Sequence, residues 1–466
     1  MILFSIVFIA FFLFPSLSYP MDISNPLSPP ELGPSPRSAG RGGASIVETD
    51  IEGDPFINPA KGSRVENEFA FAYPTIVYYR NRNTYLYEYR YNSYNDGSSA
   101  TYLDETISPS IPIGGFYRIK DFFFGGSIGY TGSFISHEYN WTNSSIVGAY
   151  AFKGSISDKI SLNGLDASLI AGYRYSILSI GLLGKTSNFI GTNTINDKNS
   201  RDIHSKYDLK EGMDAISTGL LLNAGEARDI SAVFSINSLE TKSNPKSYTI
   251  NSMPQDLRYL LSDKEKGKGY DLIIEFRQGL AEEFTVGARA GYAYFSSKPR
   301  TDSSYWNSEG KRWHRAYIFG LGMSWHPGSW SIIASDLIFS PFIMEWKDLS
   351  RGNYLPSPSK SNTEENGLKI LLRTGIEGPV SDNFLLRAGV ILNWNKTEFT
   401  SSYRSSDSAY TYYRSYTGLH ANTMALTTGA SYVISRVRID LMVRLDNKTS
   451  CSALTTTEQF GIVTFF

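Results

Sequence analysis

Phe284-Thr285-Val286-Gly287-Ala288-Arg289-Ala290-Gly291-Tyr292-Ala293-Tyr294 is the stretch on which the fold turns. Its even positions are apolar or aromatic, and its odd positions carry Thr285, Gly287, Arg289, Gly291 and Ala293. Successive strand residues point to opposite faces, so this strand has one apolar face and one face that accepts an arginine. The pattern returns in Phe384 to Trp394, where Arg387, Gly389 and Asn393 oppose the apolar positions. It returns in Tyr317 to Trp325, and again in Val437 to Asp446, where Arg438, Asp440 and Arg444 alternate with Val, Ile and Leu. A soluble sandwich also alternates, but it does not load the second face of so many long strands with charge. An arginine facing lipid at mid-membrane costs roughly 2–4 kcal/mol. The charged face therefore belongs in a polar lumen and the apolar face against lipid.

Working outward, one unit recurs from Phe69 to the end: a strand, a short turn, a second strand. The turns are Ile119 to Asp121, Ser176 to Leu178, Gly225 to Asp229, Gly279 to Glu283, His326 to Ser329, Glu377 to Asn383 and Ile434 to Arg436. Between the hairpins lie longer polar stretches, such as Arg80 to Ser108, Thr186 to Gly212, Thr241 to Lys266 and Pro341 to Asn366, which read as loops. Short turns at one rim and long connections at the other are the anatomy of a transmembrane barrel. The fold class expected is all-β: a transmembrane antiparallel β-barrel of about 14–16 strands. The chain closes on Phe460 to Phe466, with Phe460, Ile462 and Phe466 on one face, like the terminal signal read by barrel-assembly machinery.

Composition agrees with this class. The 466 residues carry 44 Lys and Arg against 45 Asp and Glu, so nothing points to nucleic acid. A single cysteine, Cys451, excludes a disulfide framework and a Cys-rich metal site. Aromatics make up 14% of the chain, which suits interfacial belts. Residues 1–18 read as a signal peptide, mostly apolar and ending in Ser16-Leu17-Ser18, although no Lys or Arg precedes the apolar run. Residues 19–37 read as a proline-rich tail, residues 38–67 as a small plug and residues 68–466 as the barrel.

The plug stretch begins Gly40-Arg41-Gly42-Gly43-Ala44, continues through Glu48, Asp50 and Asp54, and ends in Asn58-Pro59-Ala60 directly before the first strand. Placed there, it resembles the hatch of the FadL-type long-chain fatty-acid transporters. Ile107 to Phe134, with Pro109, Pro112, Phe116, Gly125 and Gly129, resembles that family's second and third strands. The similarity is specific only in the first third of the chain, and the family's usual barrel has fourteen strands. The resemblance implies uptake of hydrophobic molecules such as long-chain fatty acids across a bacterial outer membrane, gated by the hatch and without a cofactor. It gives Asn58, Pro59 and Ala60 a gating role. The family also contains hydrocarbon channels and relatives that assist other outer-membrane machinery, so a surface-exposed binding or scaffold barrel without transport is the alternative.

Other candidates come from the residues themselves. Arg277, Arg289, Lys369, Arg373, Arg387, Arg438 and Arg444 point inward by parity and could hold a carboxylate through charge-assisted hydrogen bonds, or could pair with Asp271, Glu275 and Asp440 to brace the wall. Pro112 cannot donate to a ladder, and Gly114-Gly115 follow it, so Ile111 to Phe116 is the expected interruption of the wall and lateral exit. The tyrosines from Tyr78 to Tyr94 suit either an external capture site or an interfacial strand. The five histidines are scattered without metal-ligand spacing, and no catalytic motif is present, so no enzyme activity, metal or cofactor is expected.

Overall fold

The computed structural model describes Ser35 to Phe466, apart from residues 42, 49, 92–93, 145–150, 198–202, 226–227, 251–252, 255–261, 304–305, 329–330, 353–358, 406–410 and 449–452. The signal peptide and most of the proline-rich tail lie outside the described residues.

The wall is one antiparallel sheet. Its first strand comes in two pieces, β1 (Phe69–Ala72) and β2 (Thr75–Tyr91), divided at Tyr73-Pro74. There follow β3 (Tyr94–Ile119), β4 (Phe122–Ser144), β5 (Ala151–Tyr175), β6 (Leu178–Asp197), β7 (Ile203–Gly225) and β8 (Arg228–Ile250). A two-residue strand, β9 (Met253–Pro254), sits at the tip beyond β8. The remainder are β10 (Ser262–Ala281), β11 (Phe284–Asp302), β12 (Trp306–Trp325), β13 (Ile332–Gly352), β14 (Ser359–Ser381), β15 (Phe384–Ser405), β16 (Thr411–Ile434), β17 (Val437–Lys448) and β18 (Ala453–Phe465). β18 pairs with both pieces of the first strand, Val463 opposite Phe71 and Thr457 opposite Val77, and this closes the barrel. With β1 and β2 taken as one strand and β9 set aside, the wall has sixteen strands.

The short turns stand where the alternation stops. Lys120, Ser176 and Ser435 each take positive φ in a two-residue turn, the backbone that matches strand twist in tight hairpins. The stretches read as long loops are instead mostly strand. Arg80 to Ser108 is the upper part of the β2–β3 hairpin, and Pro341 to Asn366 belongs largely to β13 and β14. Above the membrane both faces of a hairpin meet water. Apolar alternation then disappears while backbone pairing continues.

The outer surface carries a continuous apolar band. Ile128, Leu169, Ile216, Phe234, Leu272, Phe319, Leu321 and Leu441 are all exposed on it. A band of this kind, on strands whose other face is charged, is a lipid-facing surface.

The expected interruption at Ile111 to Phe116 is narrowed by the pairing to Ile111 and Pro112, on the side of the first strand. β3 runs against β4 without a break from Ser110 to Ile119, with Pro112 opposite Gly129. On its other side Ile113 to Phe116 pair with β1. The discontinuity lies one strand over, at Tyr73-Pro74, and it is bridged. Tyr73 N–H donates to the Pro112 carbonyl at 3.0 Å, and Phe460 N–H donates to the Pro74 carbonyl at 2.9 Å. Proline is tolerated at 112 because Ile111 and Pro112 lie opposite this break in their neighbour, where no ladder donor is asked of them.

Candidate functional site

The segment from Ser35 to Arg64 crosses the lumen at the turn side. Ser35 caps a short helix, Pro36–Gly40, by accepting from Ser38 N–H at 3.2 Å. This helix lies against β15 to β18. The chain then passes β11 to β13, where Asp336 accepts from Ser45 N–H (2.6 Å) and Ile46 N–H (3.1 Å). It ends in a 3₁₀ turn, Pro59–Arg64, seated on β4 to β7. Asn58 caps that turn by accepting from Ala60 N–H at 3.1 Å, with Pro59 in the first turn where its missing N–H is harmless.

Glycines on the wall make room for this backbone. A Cβ on Gly219 would lie 2.1 Å from Asn58 Oδ1, and one on Gly181 would lie 2.4 Å from the Pro59 carbonyl carbon. A Cβ on Gly375 would lie 1.9 Å from the Arg41 oxygen. Asn58, Pro59 and Ala60 therefore rest directly on bare strand.

Buried ion pairs hold the rest. Lys61 Nζ is 2.7 Å from Glu275, which also takes two hydrogen bonds from Arg289, at 2.8 and 2.6 Å. Arg64 and Arg277 share Asp229. Arg387 binds Glu377 (2.5 Å) and Asp440 (3.2 Å), while Arg37 joins the same Glu377. Arg438 bridges Glu52 and Asp440, and Tyr73 Oη donates to Glu52 at 2.6 Å. Arg373 donates to the Gly43 carbonyl at 3.2 Å and stands in register with Asp336. Arg289, Arg373 and Arg387 thus all point inward, and all three are engaged with the plug or its seat. Within the plug, burial and the nearby Asp54 carboxylate push Asp50 above the usual carboxylate range, and burial pushes Glu52 and Asp54 the same way.

Pro112, Gly114 and Gly115 do not join this constellation as an opening. Gly114 faces the Phe71 ring, and a Cβ there would lie 2.6 Å from it. That ring belongs to a buried aromatic cluster of Phe56, Phe69, Phe71, Tyr73, Phe116 and Phe123. Phe71 and Tyr73 stack at 4.5 Å, and Phe56 meets Phe71 edge-on at 5.8 Å.

Two further features line the lumen. Ile318, Ile338, Leu371, Ile391 and Ala425, on five consecutive strands, form an apolar cluster with Ile46 and Val47 of the plug. Toward the hairpin tips the same wall continues with Ala316, Phe295 and His314, the last packed edge-on to Phe342 at 5.9 Å. Both ring nitrogens of His314 are buried without a hydrogen-bond partner. From the opposing arc, Lys185 of β6 projects inward, the next inward residue after Leu183, and is exposed within the lumen. The sequence reading missed Lys185, although parity with Leu183 marks it as inward.

Fold and site together define a closed, plugged, transmembrane β-barrel whose lumen has an apolar wall. No protein-family model and no curated protein matches the chain. Among solved structures it is similar to a Pseudomonas aeruginosa FadL homologue, at 9% identity and a TM-score of 0.44, with 97% of this chain and 99% of that one covered. The Ralstonia pickettii toluene transporter TbuX is similar at 13% identity and a TM-score of 0.41, covering 94% and 99%. The Pseudomonas putida toluene transporter TodX matches at 13% identity and 0.36, covering 93% and 97%.

Proposed function

We propose that this protein is a bacterial outer-membrane channel that admits hydrophobic molecules carrying an acidic group, of which long-chain fatty acids are the type. The observation that carries the reading is the apolar lumenal face of β11 to β16, where Phe295 and Ala316 continue upward from the Ile318–Ile338–Leu371–Ile391 cluster that Ile46 and Val47 of the plug cover. A water-filled pore gains nothing from such a wall, whereas an acyl chain is desolvated by it. Lys185, facing from the other arc with the Asp271 carboxylate as the acidic group that acts on it, is the cation for the acid group. The plug closes the turn side, and its Asn58-Pro59-Ala60 turn is the part whose movement opens a path. The terminal strand, ending in Phe466, is the segment offered to the assembly machinery.

Lys185→Met tests this. A lost charge-assisted hydrogen bond is worth roughly 1.5–3 kcal/mol, so the Kd for a labelled long-chain fatty acid rises about 10- to 100-fold. Binding of an uncharged alkane of equal length stays unchanged. Equal weakening of both ligands would remove Lys185 from the site.

A scaffold barrel without transport is the second reading. It is favoured by the density of buried ion pairs around the plug, which suits a permanent seal. Fatty-acid uptake no greater than in cells lacking the protein would select it.

A further inference from the structure

Above the apolar band, the lipid-facing side of six adjacent strands carries more cations than carboxylates. Lys210 lies opposite Lys242, Lys242 opposite Lys264, and Lys264 opposite Arg300. Two residues nearer the membrane, Lys266 lies opposite Lys298, and further round the wall Lys311 lies opposite Lys347. All share the outward parity of the exposed band residues Ile216, Phe234, Leu272 and Phe319.

Like charges directly opposite on a sheet destabilise it. Elsewhere on this rim some outward charges are matched: Arg80 pairs with Glu105 at 3.1 Å, and Lys396 with Glu398 at 3.7 Å. Inside the patch Glu240 serves both Lys242 and Lys266, at 3.0 and 3.2 Å. Arg300 is held by Asp302 at 2.7 Å with Glu309 at 3.8 Å, and Lys347 is met by Glu345 at 3.5 Å. Lys264, Lys298 and Lys311 have no carboxylate partner among the described residues and are exposed. Directly below stand Tyr270, Tyr292, Tyr294 and Tyr317, with ring centroids 5.3–6.1 Å apart. Such a belt marks the membrane–water interface. The cations are thus set at headgroup height.

We infer that this face binds phosphorylated lipid headgroups of the leaflet in which the long hairpins stand. The ligand is a lipid and not a soluble phosphate because the basic rows continue the tyrosine belt and the apolar band. A molecule with phosphates at the head of several acyl chains satisfies all three surfaces at once. The phosphates remove the lysine–lysine repulsion, and the acyl chains cover the band below. The inference rests on membrane insertion alone and is independent of what the lumen carries.

The test uses the full-length protein in nanodiscs of phosphatidylcholine doped with bis-phosphorylated lipid A or with its dephosphorylated form. Lipid retained through purification is counted by mass spectrometry. The wild type should retain the phosphorylated form about a hundredfold over the other, and each of the three cations removed should lower that preference about fivefold. The triple variant Lys264→Gln, Lys298→Gln, Lys311→Gln should lose the preference, while Lys396→Gln on β15 keeps it. Equal retention of the two lipids by the wild type would overturn the inference, and that comparison needs no variant. So would displacement of the lipid by equimolar inorganic phosphate. Failure to enter nanodiscs at all would instead strike the membrane reading, and it is seen separately in the yield of filled discs.

Discussion

Asp50 illustrates how a single side chain sets the energy of the seated plug. Its carboxylate accepts from Ser35 Oγ at 2.8 Å, and Asp54 sits one turn on, accepting from Asp50 N–H at 3.3 Å. Burial first, and the neighbouring Asp54 second, raise its pKa. A carboxylic acid whose pKa is raised in the seated state favours that state when protonated, so seating strengthens as pH falls through the raised value and weakens as pH rises. Openings in planar-bilayer recordings should therefore become rarer from pH 7.5 to pH 5. Asp50→Asn keeps the acceptor for Ser35 and removes the charge, so it should make openings rare at pH 7.5 and flatten the pH response. A pH response as steep as in the wild type would exclude Asp50. At this scale the sequence was half legible. Parity placed Arg289, Arg373 and Arg387 inside the barrel, yet their partners Glu275, Gly43 and Glu377 lie 14, 330 and 10 residues away. Local spacing gives no means to tell a ligand-binding arginine from one that seats the plug. Lys185 was missed because it stands one residue before a stretch that reads as loop.

Among the elements, β6 and β7 are the bed of the Asn58-Pro59-Ala60 turn. Gly181 and Gly219 point inward where any side chain would strike plug backbone or the Asn58 amide. Gly181→Ala and Gly219→Ala should each unseat the turn, since overpacking of this kind costs about 1–3 kcal/mol. The wall should remain intact, because neither change touches a ladder hydrogen bond. Open probability in bilayers should rise at unchanged heat-modifiable mobility on gels; a rise in unfolded protein without a rise in conductance would mean that the wall, not the plug, was damaged. Membrane-crossing strands were legible because lipid enforces apolar alternation on one face. Their extensions were not, because Ser, Asn, Thr and Tyr on both faces of a hairpin in water leave no period to read. The reading of Pro112 and Gly114 as a gap met the structure in part: the ladder to the neighbouring strand skips Ile111 and Pro112, while Gly114 is paired on both sides. Whether a proline interrupts a ladder depends on what stands opposite, and the first strand is itself divided there.

For the whole molecule, the sheet closes on itself, and its hydrogen bonds do not pass through the plug. Deleting Ser38 to Ala60 should leave a folded barrel with much larger single-channel conductance. Glu275, Asp336 and Asp440 would then face water in an open lumen, where their charges are solvated and not stranded. Conductance equal to that of the full-length chain would mean that this segment does not obstruct the lumen. Sixteen strands follow from seven short turns plus one strand at each end, a count that needed only punctuation. Which strand arc would carry apolar lumenal residues was not readable, because that depends on where the plug's Ile46 and Val47 come to rest.

Plug contacts reach far along the chain. Thr427 donates to the Gly40 carbonyl across 387 positions of chain, and Arg438 reaches Glu52 across 386. The plug, made before the wall, thus waits for strands made long after it. Contacts this distant in sequence slow folding, since loop-closure entropy must be met before they form. The N-terminal segment then acts as a former around which the sheet is rolled, and closure by β18 locks it in place. A barrel assembled without it and offered the same peptide afterwards would have to admit that peptide through its mouth. The two orders of assembly should differ in rate even though they end in the same molecule.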